Sequence, residues 1–386
     1  MSKHAQLSPS SAIRWLTCPG SVAFCKDLPH TTSSFAAEET TMHTVAELCL
    51  TNGTKATDYV GQSFAREGDP STLFTSDLAG GVQQYVDYVN DVVAATGGTL
   101  LVEQRLPLSD ITGEADAYGT SDVVILTADE LLICDLKGGM GEPVQADNNP
   151  QLQIYALAAL RQYELAYDFK TVRMVIHQPR LGAVSEWVQT VEELEAFAVR
   201  VAESAQYTED PDAPLVPSTK GCRWCKAKAT CPALRAEVDA LFEVVPEAAP
   251  EDTLATAMSK VDLVDAWSKA VRAETERRLL AGEPVNGFKL VQGRRGARAW
   301  GDKTEAEALL KKLRLKVDEM YDLSLISPTK AEKLHEAGTI GPRQWSKVVE
   351  LVTQSEGKPS VAPESDKRPA LVTSAVSDFD DVTDLT

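Results

Sequence analysis

The spacing of apolar and polar residues changes several times along the chain, and each change marks an element. Residues 8–25 open on SPSS and read as a helix, with Ser8 at the cap and Pro9 at the first helical position. Helical spacing recurs over 38–51 and 77–95. It then gives way to strand patterns over 100–106, 117–127 and 130–136, the last two split by the turn-like Ala128-Asp129. A helix over 151–167, short strands over 172–177 and 185–191, and a helix over 191–207 follow. Helices, a strand cluster and then a helix between strands predict an α/β fold, a mixed central sheet flanked by helices. Residues 253–280 and 303–315 predict a mostly helical C-terminal region.

Composition sets the boundaries. At 386 residues, 43% apolar and 25% charged, the chain can build one large core or two smaller ones. The run VVPEAAPED at 244–252 interrupts the helical pattern, which separates a first domain over 1–240 from an accessory domain over 253–352. Residues 353–386 end in SDFDDVTDLT and carry too few apolar side chains to fold alone, so a disordered acidic tail is expected. With 57 acidic and 38 basic residues the net charge is −19, which argues against a uniformly basic coat on nucleic acid but allows a local basic groove. No apolar run suits a membrane span or a signal peptide, so a soluble, cytoplasmic protein is expected. Seven cysteines in such a chain point to metal or redox use more than to disulfides.

The sharpest local chemistry is Asp122 in GTSDVVI, followed by Asp135 and Lys137 in LLICDLKGG. On a strand, residues two apart share a face, so Asp135 and Lys137 project together. A D-x-K tripeptide alone is also what a surface ion pair looks like. The hairpin partner changes the picture, because it can bring Asp122 alongside Asp135. Two close carboxylates repel unless a cation neutralises them, and hard oxygen ligands favour Mg²⁺ or Mn²⁺. A lysine beside that metal can stabilise developing charge or orient water. Glu103 is either a further carboxylate or a solvated strand residue; Glu114 and Asp116 read as surface charge.

These residues resemble the PD-(D/E)XK nuclease superfamily, in particular its RecB-like branch. The order is similar throughout: His43 in EETTMHTVAE, Asp122, the DLK of Asp135 and Lys137, then Gln151 and Tyr155 in NPQLQIYAL. Phage-encoded RecB-like proteins carry similar CPGS, GTxD and NxQLxxY segments, and the likeness spans about residues 7–235. It implies a restriction-endonuclease-like core. It also implies metal ligation by His43, Asp122 and Asp135, activation of water or charge stabilisation by Lys137, and phosphodiester positioning by Gln151 and Tyr155. Those last two lie one helical turn apart and face one way.

Cys222, Cys225 and Cys231 follow C-x₂-C-x₅-C spacing. Cys18 in LTCPGS is the natural fourth ligand and Cys25 its rival, while Cys49 and Cys134 sit in apolar settings and read as core. Spacing alone leaves Zn²⁺ and an iron–sulfur cluster open. Nucleases of the AddB kind and CRISPR adaptation nucleases also place one cysteine before the core and three after it. That resemblance implies a [4Fe–4S] clasp joining the two ends of the nuclease domain.

The cysteine segment is basic, with Lys220, Arg223, Lys226 and Lys228 around Trp224. It reads equally as a DNA track with a stacking ring or as a cationic loop whose Trp covers the cluster. Arg294, Arg295 and Arg298 form a second basic stretch that can extend such a track. The resulting expectation is a Mg²⁺- or Mn²⁺-dependent DNA exonuclease of phage recombination or replication, partnered by DNA and by a phage annealing or replication protein. The rival expectation is a catalytically silent DNA-binding or scaffolding protein.

Overall fold

The computed structural model describes residues 5–28, 34–65, 71–244, 251–291, 303–313, 316, 321 and 328–352. Apart from a short ribbon of β1 (Ser63–Phe64) and β2 (Thr72–Leu73), the described strands lie in one sheet. Its strands are β3 (Thr99–Pro107), β4 (Tyr118–Leu126), β5 (Glu130–Leu136), β6 (Thr171–Gln178) and β7 (Ala183–Thr190), in that spatial order. Only β5 and β6 run parallel; the other neighbours are antiparallel. Parallel neighbours need a crossover, and α6 (Pro150–Tyr163) supplies it.

The expected α/β architecture, a mixed sheet flanked by helices, is therefore present. One face of β4 and β5, with Val124, Leu126, Leu131 and Ile133, packs on α6 and on Leu194, Phe197 and Val201 of α7 (Val191–Tyr207). The other face, with Val123, Ile125, Leu132, Cys134 and Leu136, packs on α3 (Ser34–Asn52) and α4 (Ser76–Thr96). Burial on both faces explains why β5 reads as a continuous apolar run and not as an alternation. Residues 152–160 of α6 are all buried, so that stretch of the helix is enclosed on every side.

Residues 8–25 do not form the single helix expected. A 3-10 turn (Pro9–Ser11), α1 (Ala12–Thr17) and α2 (Ser21–Phe24) replace it, broken at Cys18-Pro19-Gly20. Proline disfavours helix in the residue before it, and the break lets the backbone at Gly20 meet residues far along the chain. Gly20 N donates to Pro214 O at 3.1 Å. A Cβ on Gly20 would stand 2.3 Å from Ala213 O, so no side chain fits there. The helix expected over 151–167 ends at Tyr163.

The chain divides into two compact units, residues 1–291 and 292–386. In the first, α10 (Glu251–Leu280) sets Leu263 and Trp267 against Leu234, Cys222 and Cys231. In the second, helices run over Lys303–Lys312, Pro328–Glu336 and Pro342–Val349. No described helix is long and apolar enough to cross a membrane. Residues 353–386, expected as a tail, lie outside the described residues, as do Arg294, Arg295 and Arg298.

Candidate functional site

Local chain chemistry delivers each side chain of the DLK region. The register of β4 and β5 pairs Val123 with Cys134, and one step further along, Asp122 stands beside Asp135. Asn149 caps α6 by accepting from the backbone of Gln151 and Leu152, with Pro150 at the first helical position. That cap fixes Gln151 in the first turn, over the end of β5.

The contacts are short and directed. Gln151 Nε2 donates to Asp135 Oδ1 at 2.9 Å, and Gln151 Oε1 accepts from Lys137 Nζ at 3.3 Å. Lys137 Nζ stands 2.9 Å from Asp135 Oδ2 and forms an ion pair with it. From the other side of the sheet, His43 on α3 places Nδ1 3.0 Å from Asp122 Oδ1. Leu136 N donates to Asp122 Oδ2 at 2.8 Å. Tyr155 is buried one turn beyond Gln151, its ring seated over Gly119. A Cβ on Gly119 would come within 2.9 Å of Tyr155 Cε1.

The electrostatics follow from this packing. Burial pushes Asp135 up to about 6, with Lys137 pulling it down and Asp122 adding to the rise. Burial works against the charge on Asp122 too, but His43 and the Leu136 amide hold it below the usual carboxylate range. His43 is pulled down by burial and raised more strongly by Asp122, which carries it to about 9. Lys137 is desolvated as well, but Asp135 and then Glu39 keep it above the ordinary lysine value. The site at neutral pH thus holds a charged lysine, a charged histidine and two adjacent acids. Its chemistry suits a hard divalent cation, because Asp122 and Asp135 are carboxylates side by side on neighbouring strands.

Two residues not singled out from the sequence fasten the loop after Lys137. Gln178, only 2% exposed, donates to Gly139 O at 2.8 Å and accepts from Val144 N at 3.0 Å. Arg180 donates to Gly138 O at 3.3 Å and to Glu38 Oε2 at 3.0 Å, tying the loop to the helix that carries His43. The available signal was that the parallel pair aligns Leu136 with His177, so residues just past both strand ends must meet. Glu114 is not mere surface charge, because its carboxylate accepts from the backbone of Gln6 and Leu7.

A second site lies where the chain returns to its beginning. Cys18, Cys222, Cys225 and Cys231 line one pocket with Arg14 and Lys228. Backbone amides donate to three of the sulfurs: Val216 N to Cys18 at 3.1 Å, Ser218 N to Cys222 at 3.4 Å and Leu234 N to Cys231 at 3.5 Å. Such bonds favour thiolates bound to metal. Cys25 lies outside the pocket lining, 3.7 Å from Cys225. No three cysteine sulfurs of the described residues lie within 4.8 Å of one another.

The basic residues around this pocket differ in availability. Lys220 and Lys226 are exposed. Arg223 pairs with Glu142 of the loop after Lys137 at 2.7 Å, and Lys228 Nζ donates to Arg223 O at 2.6 Å. Trp224 is 77% exposed, so it does not cover the cysteines.

Residues 4–369 match the family model described as "Protein of unknown function (DUF2800)", and the chain belongs to that family. Among solved structures, one titled "Crystal structure of SSO0001" is similar over 57% of this chain and 84% of that chain, at 13% identity and a TM-score of 0.27.

Proposed function

We propose that this protein is a metal-dependent deoxyribonuclease with a restriction-endonuclease-like core, cutting phosphodiester bonds at the ends of β4 and β5. The observation that carries the reading is the Asp135 carboxylate. One oxygen is held by Gln151 and the other pairs with Lys137 at 2.9 Å, with Asp122 beside it on the neighbouring strand. Adjacent carboxylates repel one another, and a Mg²⁺ or Mn²⁺ ion bound by Asp122 and Asp135, with His43 as a further ligand, relieves that repulsion. Such an ion supplies Lewis-acid chemistry toward a phosphate oxygen. Asp135 and Glu39 keep Lys137 above the ordinary lysine value, which supports a role in stabilising charge on the phosphate in the transition state. Gln151 orients Asp135 and Lys137 together, and Tyr155 closes the base of the site.

The pocket of Cys18, Cys222, Cys225 and Cys231 is proposed to hold a [4Fe–4S] cluster that clasps the ends of the domain. Tetrahedral zinc at about 2.3 Å from each sulfur needs sulfurs about 3.8 Å apart. No three of the described cysteine sulfurs lie within 4.8 Å of one another, which supports a multi-iron cluster. Exposed Lys220, Lys226 and Trp224 are proposed to meet DNA beside this clasp.

Labelled linear and circular DNA incubated with Mg²⁺, Mn²⁺ or EDTA tests the reading. Metal-dependent digestion of the linear form is expected, and it should vanish in Asp135→Ala and Lys137→Ala while DNA binding remains. Binding without digestion in every metal would leave a silent DNA-binding protein of this fold.

A further inference from the structure

We infer that Cys25 and Cys225 are a thiol pair that forms a reversible disulfide, joining the end of α2 to the C-x₂-C-x₅-C segment. The inference uses this sulfur pair alone and does not require that the pocket hold a cluster.

Both cysteines sit in hydrogen-bonded backbone. Cys25 N donates to Ser21 O at 3.0 Å, and Leu28 N donates to Cys25 O at 3.2 Å. Cys225 N donates to Cys222 O at 3.1 Å. The start of α2 is tied to the same part of the chain, through Gly20 N to Pro214 O and Val216 N to the Cys18 sulfur. Two sulfurs that are 200 positions apart in the chain thus stand 3.7 Å from each other. A bonded pair stands at about 2.05 Å, so closing the bond needs a movement of under about 2 Å.

Exposure and charge make the pair reactive toward a particular oxidant. Cys25 and Cys225 are half-buried and reachable, whereas Cys18, Cys49, Cys134 and Cys222 are buried. Each of the two is followed by an exposed lysine, Lys26 and Lys226, and Arg14 lines the same pocket as Cys225. These cations draw an anionic oxidant, and a small disulfide that carries carboxylates, RSSR, has the fitting chemistry.

The Cys25 thiol gives its proton to water and attacks one sulfur of RSSR, whose S–S bond breaks to release RS⁻. The Cys225 thiol, deprotonated likewise, attacks the Cys25 sulfur, forms the Cys25–Cys225 bond and expels the second RS⁻. Both RS⁻ take up a proton. Two electrons have then passed from the cysteines to RSSR, and two RSH result. Cys225 also lines the pocket, so its sulfur serves the pocket or the disulfide and not both at once. A chain that loses its metal therefore keeps a closure at its beginning.

The full chain and its Cys18→Ala variant, both freed of metal with a chelator, are treated with oxidised glutathione in native buffer and in urea. Trypsin cuts after Arg14, Lys26, Arg223 and Lys226, which leaves Cys25 in the peptide 15–26 and Cys225 in the peptide 224–226. In Cys18→Ala, Cys25 is the one cysteine of the first peptide. Mass spectrometry without reductant is expected to find these two peptides joined as the main cross-link in native buffer, in both chains, and parted by dithiothreitol. In urea the main link of Cys225 should pass to Cys222 or Cys231, because short loops close most readily. A native-buffer product in which Cys225 pairs mainly with Cys222 or Cys231, or carries only glutathione, would overturn the inference. The same pairing in native buffer and in urea would overturn it too, since the fold would then not bring the pair together.

Discussion

Gln151 and Lys137 divide the Asp135 carboxylate between them. Nε2 of Gln151 takes Oδ1 at 2.9 Å, and the Lys137 ammonium pairs with Oδ2 at 2.9 Å. The same amide accepts from Lys137 through its oxygen. One side chain therefore sets the distance between the acid and the cation of the DLK segment.

Replacing that amide by a hydrocarbon should separate positioning from folding. Gln151→Leu keeps the size of the side chain and removes both hydrogen bonds. DNA digestion is expected to fall by about 10²-fold, the usual scale for losing one charge-positioning group, while the melting temperature stays near the wild-type value. An undiminished rate would take Gln151 out of the site.

Proton linkage at His43 has a definite sign. Asp122 raises the folded His43 to about 9 against an ordinary 6.5. The resulting stabilisation is complete below pH 6.5 and is lost as the pH rises through 9. In metal-free protein, His43→Gln should therefore lower the melting temperature below pH 6.5 and change it little above 9. Binding of Mn²⁺ at neutral pH should release a proton, which calorimetry in buffers of different ionisation enthalpy will show.

The cysteine pocket predicts a pattern of losses. Alanine at Cys18, Cys222, Cys225 or Cys231 should each deplete iron and acid-labile sulfide. Cys25→Ala should retain both, since Cys25 lies beside Cys225 and outside the lining. Iron retained in Cys18→Ala but lost in Cys25→Ala would exchange their roles. Zinc in place of iron in the wild type would replace the cluster with a smaller site.

Gly119 tests the seat of Tyr155 by packing alone. In Gly119→Ala the new methyl meets Tyr155 Cε1 at 2.9 Å and Pro9 Cγ at 3.2 Å. Overpacking of this kind destabilises by about 1–3 kcal/mol, measurable by urea unfolding. Unchanged stability would mean that the ring and Pro9 can both move aside.

Much of this arrangement was legible in the chain. The strands over 117–136 and the helix after them were readable because apolar runs bounded by turn residues leave few alternatives, and because Asn149-Pro150 announces a helix start. The order of His43, Asp122, Asp135, Lys137, Gln151 and Tyr155 was visible as well. The break at Cys18-Pro19-Gly20 was not, since helical spacing continues on both sides and the reason for it lies at Ala213 and Pro214. Gln178 and Arg180 were hidden for a similar cause, as they act on a loop that no spacing rule connects to them. Glu103 stayed ambiguous because its alignment with Asp122 is a matter of strand register, which a single sequence does not state.

The bond from Val216 to the sulfur of Cys18 joins residues 198 positions apart, and that separation governs the order of events during synthesis. The segment carrying Cys18 leaves the ribosome first and can pack on β4 and α6, but Cys18 and Gly20 wait for residues 213–216. Until then Gly20 lacks its backbone partner. A message cut short before codon 214 would thus yield a chain with every residue of the DLK centre and no closure at its start. Translation through the last cysteine is a condition for closing the domain at its start.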